Sequence, residues 1–334
     1  MTEYTGIQGQ NILITATDPA NPTEGQIWYN STSNLLKAYG YVNVNAWSSG
    51  GNLGTARYEI TGGGTQTAAI GAGGYLPGLS PFAGARNTET YNGTSWSDGA
   101  LMNQGKHEAG MFAGTQTAAL IAGGYAGTSN LNASESWNGS AWTNTPTLNT
   151  ARRGTFKGMG TQTAAVCIGG TITGKSADVE SWNGSSWTTV TSIPTATSSG
   201  AASGTQTAGL IFGGFSTTQI GNSLTYNGSS WTAVSSLNTA RSGLSGSNGP
   251  QGTQTAALAF GGSTGTATGA TELWGGTSWT TLPATLATPR SSAGGAGGST
   301  AALMFGGAIA PGPRTAATEE WTGSYVGTVT LTTS

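Results

Sequence analysis

At 334 residues the chain has room for two domains, yet only 7% of it is charged, against about 25% in an ordinary globular domain, and 57 residues are glycine. A formal net charge of -2 and the lack of any Lys/Arg run exclude the electrostatic footprint of a nucleic-acid or anionic-membrane partner. The 11 Trp, 10 Tyr and 7 Phe supply enough apolar area for packed cores, which excludes a disordered chain.

Chemistry-bearing residues are scarce. Cys167, the only cysteine, lies in the apolar run AAVCIGG, where a thiol packs as a small hydrophobe and no internal disulfide can form. His107 is the only histidine, so a Ser-His-Asp or Cys-His arrangement would need that single candidate. Set between Lys106 and Glu108, it reads as a surface or packing residue. Asp18, Asp98 and Asp178 are too scattered for a calcium loop. The expectation is a protein without catalytic residues, cofactor or bound metal.

In chain order, MTEYTGIQGQ carries neither the basic region nor the apolar core of a secretory signal, and no apolar stretch reaches membrane-spanning length. Synthesis as a soluble cytoplasmic chain is expected. Strand-like segments follow from Ile12 (ILITA), Gln26 (QIWYN) and Leu35 (LLKAYGY). A repeat then takes over. Gly-Gly pairs closing an apolar run begin at Gly73, Gly123, Gly169, Gly213, Gly261 and Gly306, with spacings of 50, 46, 44, 48 and 45. Each closes a phrase such as GTQTAALIAGG, from Gly114; the sixth copy, GGSTAALMFGG from Gly297, loses Thr-Gln. A second phrase follows, with aromatics five residues apart around Asn-Gly or Gly-Gly: Tyr91/Trp96, Trp137/Trp142, Trp182/Trp187, Tyr226/Trp231 and Trp274/Trp279. Asn-Gly between strand-like runs predicts a tight hairpin with positive φ at both central residues. Two hairpins per copy predict a four-stranded antiparallel sheet. Helical periodicity is absent, so such sheets must bury their faces against one another around an axis.

An apolar run closed by Gly-Gly, a spaced aromatic pair and an Arg opening the next copy together resemble the kelch repeat of β-propellers, over about Trp47 to Trp321. The resemblance implies an all-β propeller of six four-stranded blades. AWSSGGNLGTAR, around Trp47 and Arg57, matches the end of a copy such as AWTNTPTLNTAR but has no Gly-Gly phrase before it. Either this strand completes the sixth blade, or residues 12–47 form a degenerate seventh, a version that the strand-like C-terminal YVGTVTLTTS slightly favours. The expected division is 1–46, an N-terminal β segment for attachment or ring closure, and 47–334, the propeller.

Superposing the copies aligns Glu89, Glu135, Glu180, Glu272 and Glu319 in one column, with Leu224 in the fourth copy. Arg57, Lys106, Arg152, Arg241 and Arg290 form another. An active site needs unlike residues converging once, so identical charges in every copy predict structural Glu–Arg bonds between strands or neighbouring blades. Trp96, Trp142, Trp187, Trp231 and Trp279, with their partner aromatics, predict the inter-blade core. Asn-Gly-Ser/Thr sequons at Asn92, Asn138, Asn183 and Asn227 need no glycan beyond turn chemistry to explain them. Kelch-type copper oxidases need two histidines and sialidase propellers carry Asp-boxes, neither of which is present.

The loops after Gly-Gly differ in length and content, and variation within a constant frame is how scaffolds carry binding loops. Tyr75, Phe82, Arg86, Tyr125, Lys175, Phe215 and Arg314 are the ligand- or partner-binding candidates. DPANPTEGQIWYNSTSNLLKAY, about residues 18–40, resembles a short module near the start of bacteriophage tail-fibre and other virion proteins. That resemblance implies a virion surface protein, held to other virion proteins by its N-terminal segment, with a host-surface glycan or receptor as partner. A purely architectural fibre subunit and a glycan-cleaving enzyme are the alternatives; the latter lacks, in the sequence, a non-repeating acid pair.

Overall fold

The structure is a computed structural model that describes residues 12–42, 44–76, 84–108, 111–247, 251–309 and 312–331. It is all-β: among the described residues there is no α-helix, and the strands form seven small sheets. The chain divides into two compact units, Met1–Asn45 with Gly323–Ser334, and Ala46–Thr322. The C-terminal strand, placed with the repeats by the sequence reading, belongs to the smaller unit.

In that unit β1 (Leu13–Thr15) runs parallel to β2 (Ile27–Asn30), which pairs antiparallel with β3 (Leu35–Val42). The C-terminal β27 (Tyr325–Thr330) completes the sheet beside β3. Asp18 ties it together, accepting from Trp28 Nε1 at 3.0 Å, Asn30 Nδ2 at 2.7 Å and Lys37 Nζ at 2.6 Å. These donors, Lys37 first, hold its carboxyl at about 2.

The larger unit carries six sheets. The first holds β5 (Thr61–Gly64), β6 (Ala69–Ala72), β7 (Thr88–Tyr91) and β8 (Trp96–Asp98). The second holds β9 (Phe112–Gly114), β10 (Ala119–Ala122), β11 (Ser134–Trp137) and β12 (Trp142–Thr145). The third has three strands, β13 (Ala165–Ile168), β14 (Val179–Trp182) and β15 (Trp187–Val190). The fourth holds β16 (Ala201–Thr205), β17 (Ala208–Phe212), β18 (Ser223–Tyr226) and β19 (Trp231–Val234). The fifth holds β20 (Ser245–Gly246), β21 (Ala257–Phe260), β22 (Thr271–Trp274) and β23 (Trp279–Leu282). The sixth comprises β24 (Gly294–Gly297), β25 (Ala301–Phe305) and β26 (Thr318–Thr322), and its fourth strand is β4 (Ala46–Gly50). Trp47 stands opposite Trp321 in register, so the aromatic pair that other copies build from one hairpin is supplied here by the two ends of the unit.

The hairpin tips differ from the sequence expectation. In the aromatic hairpins only the glycine takes positive φ, as at Gly93 with 92°, while Asn92 Oδ1 accepts from the Thr94 and Ser95 N–H groups. The asparagine caps the turn through its side chain.

Buried apolar residues form six clusters, each shared by consecutive sheets. One joins Ile70 and Met102 to Phe112, Ile121, Trp137 and Trp142. The last joins Ala296, Leu303 and Phe305 of the sixth sheet to Ile60, Ala69 and Tyr91 of the first. Six sheets with six shared cores in cyclic order are consistent with a propeller. Polar contacts follow the same direction. Trp142 Nε1 donates to Thr88 Oγ1 on the preceding sheet at 2.8 Å, and Trp96 Nε1 does so to Thr318 Oγ1 at 2.9 Å. The glutamine of Gly-Thr-Gln-Thr acts as a clasp, Gln116 Nε2 reaching the Ala69 and Tyr91 carbonyls at 3.0 and 2.6 Å.

The charged columns meet inside the sheets. Arg57–Glu89 (2.6 Å), Lys106–Glu135 (3.2 Å), Arg152–Glu180 (2.8 Å), Arg241–Glu272 (3.0 Å) and Arg290–Glu319 (2.8 Å) are all buried. Each carboxylate also accepts from the linker entering its sheet, as Glu180 does from the Asn149 N–H at 2.7 Å. The arginine braces carbonyls of the Gly-Gly turn, Arg152 those of Gly169 and Asp178.

Two outcomes are expected. With residues 323–334 removed in both, deleting 1–51 takes away β4 and exposes the β26 edge, so this truncation should aggregate while deletion of 1–45 should not; light scattering and thermal melting compare the two, and equal cooperative melts would refute closure by β4. Glu180→Ala leaves a buried guanidinium and linker N–H groups unpaired, a loss of about 3–5 kcal/mol in denaturant unfolding.

Candidate functional site

One residue past each charged-column position, the chain makes a single β-bridge to the residue after Gly-Gly. The pairs are Tyr58–Tyr75, His107–Tyr125, Arg153–Thr171, Ser198–Phe215, Ser242–Ser263 and Ser291–Ala308. The next residues, Glu59, Glu108, Gly154, Ser199, Gly243 and Ser292, are chained to one another. The Gly154 N–H donates to Glu108 O (3.0 Å), Ser199 to Gly154 (2.7 Å), Gly243 to Ser199 (2.8 Å), Ser292 to Gly243 (2.8 Å) and Glu59 to Ser292 (2.7 Å). All six take positive φ, between 44° at Glu108 and 59° at Gly243. They surround a cavity of about 110 Å³ whose walls also include Ile60, Thr155 and Lys157.

Backbone geometry repeats here while side chains do not. Glycine is the natural occupant of this left-handed conformation, which costs another residue about 1 kcal/mol or more. Two copies nevertheless place glutamates there. Glu59 Oε2 lies 2.7 Å from His107 Nδ1. His107 is buried and meets the rings of Tyr75 and Tyr125 edge-on, at 5.6 and 5.4 Å between centroids. Tyr58 packs on Tyr75 at 5.1 Å. Glu108 Oε2 lies 3.4 Å from Arg153 Nε, and the Arg153 guanidinium sits 4.2 Å over the Tyr125 ring. Burial, and then the charge of Glu59, push the Glu108 carboxyl above its usual range against the opposing pull of Arg153.

Lys157 reaches from the third copy to the sixth, its Nζ donating to Ala293 O at 2.5 Å. Enclosure by the surrounding strands pushes its ammonium down to about 8, with Glu59 acting in the opposite direction. Glu59, His107 and Glu108 present ligand atoms within 4.8 Å of one another, the one such group among the described residues and the place where a divalent cation would fit. In this geometry His107 and Arg153 already face those carboxylates.

Of the sequence candidates, Tyr75, Tyr125 and Phe215 occupy equivalent bridge positions. Lys175 Nζ lies 5.2 Å over the Phe215 ring and donates to Thr171 Oγ1 at 3.3 Å. Arg314 bridges Ala308 and pulls the Tyr58 phenol down, against the larger upward push of burial. Arg86 is spent elsewhere, its Nε donating to Met102 O at 2.5 Å. Phe82 lies outside the described residues. Of the two readings of His107, surface or packing residue, the structure shows the packing one, with a bond to Glu59 that the sequence did not indicate; Glu59, Glu108, Arg153 and Lys157 were not singled out. Their signal lay in the copies themselves: these are charges outside the two repeated columns. Cys167 is buried and its thiol is pushed up to about 12, an inert group.

No protein-family model matches the chain, and no curated protein matches it.

Glu108 holds a strained, partly desolvated position, so Glu108→Gly should stabilise the fold by about 1 kcal/mol, read as a higher melting temperature. A carboxyl whose folded pKa is raised binds protons more tightly in the fold. The electrostatic part of the gain should therefore appear as pH rises above the usual carboxylate range and vanish below it, leaving the pH-independent part due to backbone strain.

Proposed function

We propose that the chain is a six-bladed, kelch-like propeller carried on a small β unit, and that it serves on a bacteriophage virion as a non-enzymatic tail-fibre or decoration protein. In this reading its axial mouth recognises a glycan of the host surface. One observation carries the proposal: in a ring of near-identical copies, Glu59, His107, Glu108 and Arg153 converge once, among Tyr58, Tyr75 and Tyr125. Carboxylates and a guanidinium accept from and donate to sugar hydroxyls, while tyrosine faces stack on sugar rings. The cyclic order of the six cores supports the blade count, and the kelch resemblance supports the family reading. The resemblance of residues 18–40 to tail-fibre modules supports attachment to other virion proteins.

A second reading has gained an observation. The objection to a glycan-cleaving enzyme was the want of a non-repeating acid pair, and Glu59 and Glu108 are one, with carboxylate oxygens within 4.8 Å. A raised pKa on one partner of a close pair, which keeps that carboxyl protonated, is how glycosidases divide acid and base roles. A purely architectural subunit would need neither carboxylate.

Replacing residues 75–88 by the fifth-copy segment Ser263–Thr271 removes Tyr75 while keeping the loop frame. Binding to surface polysaccharide extracted from host bacteria should fall at least tenfold with an unchanged melting temperature. Equal binding by this variant would refute the mouth as the recognition surface. Shortening of the polysaccharide by the unaltered protein, seen by size-exclusion chromatography, would move the assignment to the enzyme.

A further inference from the structure

Between Arg152 and Gly160 the third copy, like the second between Lys106 and Gly114, carries one residue more than the first, fourth and sixth copies have between Arg57 and Gly64, Thr197 and Gly204, or Arg290 and Gly297. Among the described residues the third sheet has three strands where the other five have four, and its innermost segment makes single bridges at Lys157 and Gly160. Lys157 of that segment lines the axial cavity, and among the described residues no other copy lines it with a cation.

We propose that the axial cavity takes an acidic sugar, its carboxylate on Lys157 and its hydroxyls on Glu59 and Glu108. This inference rests on the glycan-binding reading and adds the class of glycan. Among the described residues the hydrogen bond of Lys157 Nζ goes to one carbonyl, that of Ala293, and an ammonium has three donors. Its carboxylate neighbours are already engaged, Glu59 by the His107 ring and Glu108 by Arg153. A ligand that is a bare anion would meet repulsion from both glutamates, and a neutral sugar would leave the ammonium short of an acceptor. A carboxylated sugar satisfies the two together, since glutamate oxygens accept from its hydroxyls while the lysine, a compact point charge, donates to its carboxylate. The cavity wall sets Lys157 against Glu59 and Glu108, and Arg153, seated over the Tyr125 ring, offsets the charge of Glu108.

The test uses the full chain and calorimetric titration with methyl glucuronide, methyl glucoside and sodium acetate. The glucuronide should bind at least tenfold more tightly than the glucoside, and Lys157→Met should remove that preference, consistent with losing one charge-assisted hydrogen bond. Equal affinity for the two glycosides overturns the inference while leaving glycan binding standing. Acetate binding as tightly as the glucuronide reduces the site to a simple anion site and also overturns it. Binding of neither glycoside refutes it as well, and the polysaccharide assay with the loop variant then decides the glycan reading separately. The comparison of glycosides on the unaltered protein needs no variant, so the proposal stays testable if Lys157→Met fails to fold.

Discussion

A sheet of four strands, most of them only three to five residues long, cannot bury its own faces, and everything in the larger unit answers to that constraint. Each of the six cores belongs to two sheets, so no sheet is complete without both neighbours. The seam between the last copy and the first is therefore the decisive one. Phe305 fills it, lying so close to Gly62, Gly71 and Gly294 that a Cβ at any of them would come within 2.8 Å of its ring. Glycine here is what lets strands approach an aromatic ring. Each buried aromatic removes 150–250 Å² from water, on the order of 4–6 kcal/mol, and the ordering of short strands consumes most of such gains.

Two kinds of repetition coexist on this frame. Where the copies agree in side chain, the residue faces a neighbour: glutamine clasps the preceding sheet, tryptophan hydrogen-bonds across to it, and the Glu–Arg pair locks the linker. Where the copies agree only in backbone, as in the circuit of left-handed residues around the cavity, the side chain is released from folding duty. Glycine and serine fill four of those six positions, at little cost for glycine. Glutamate at the other two is dearer for folding, and the price is visible as strain and desolvation.

Much of the architecture was legible because it is written six times. The period, the paired hairpins, the Glu and Arg columns and the role of Trp47 as a strand lacking its own hairpin can all be read by aligning the chain with itself. The glutamine clasp was not, since a turn sequence tells nothing of which carbonyls lie beyond it. The site was half legible. Variable loops pointed to Tyr75, Tyr125 and Phe215, but Glu59, Glu108 and Lys157 sit on segments that looked like framework. Only the chain of hydrogen bonds from Glu108 through Gly154, Ser199, Gly243 and Ser292 to Glu59 reveals that these segments meet around one cavity. The partners of His107 were hidden for the same reason: its sequence neighbours are charged, whereas its spatial neighbours are Glu59 and two tyrosines.

The fourth copy shows how these interactions are coupled. It lacks both members of the buried ion pair, with Thr197 in the arginine column and Leu224 in the glutamate column. Losing one partner alone would strand a buried charge, whereas losing both exchanges an ion pair for apolar packing, which is close to neutral in energy. The exchange is incomplete, because a cavity of about 150 Å³ remains between Phe156, Ile193, Ile211, Ile220 and Leu224. That cavity lies beside the third copy, the one whose innermost strand is reduced to bridges and whose Lys157 enters the axis. The seam between the third and fourth sheets is bridged by backbone: the Lys157 N–H donates to Gly200 O at 3.2 Å and the Ala202 N–H to Lys157 O at 2.8 Å, so the inner segment of the third copy pairs with β16 of the next sheet. Phe156, Met159, Ile168, Ala202, Ile211 and Tyr226 pack across the same seam.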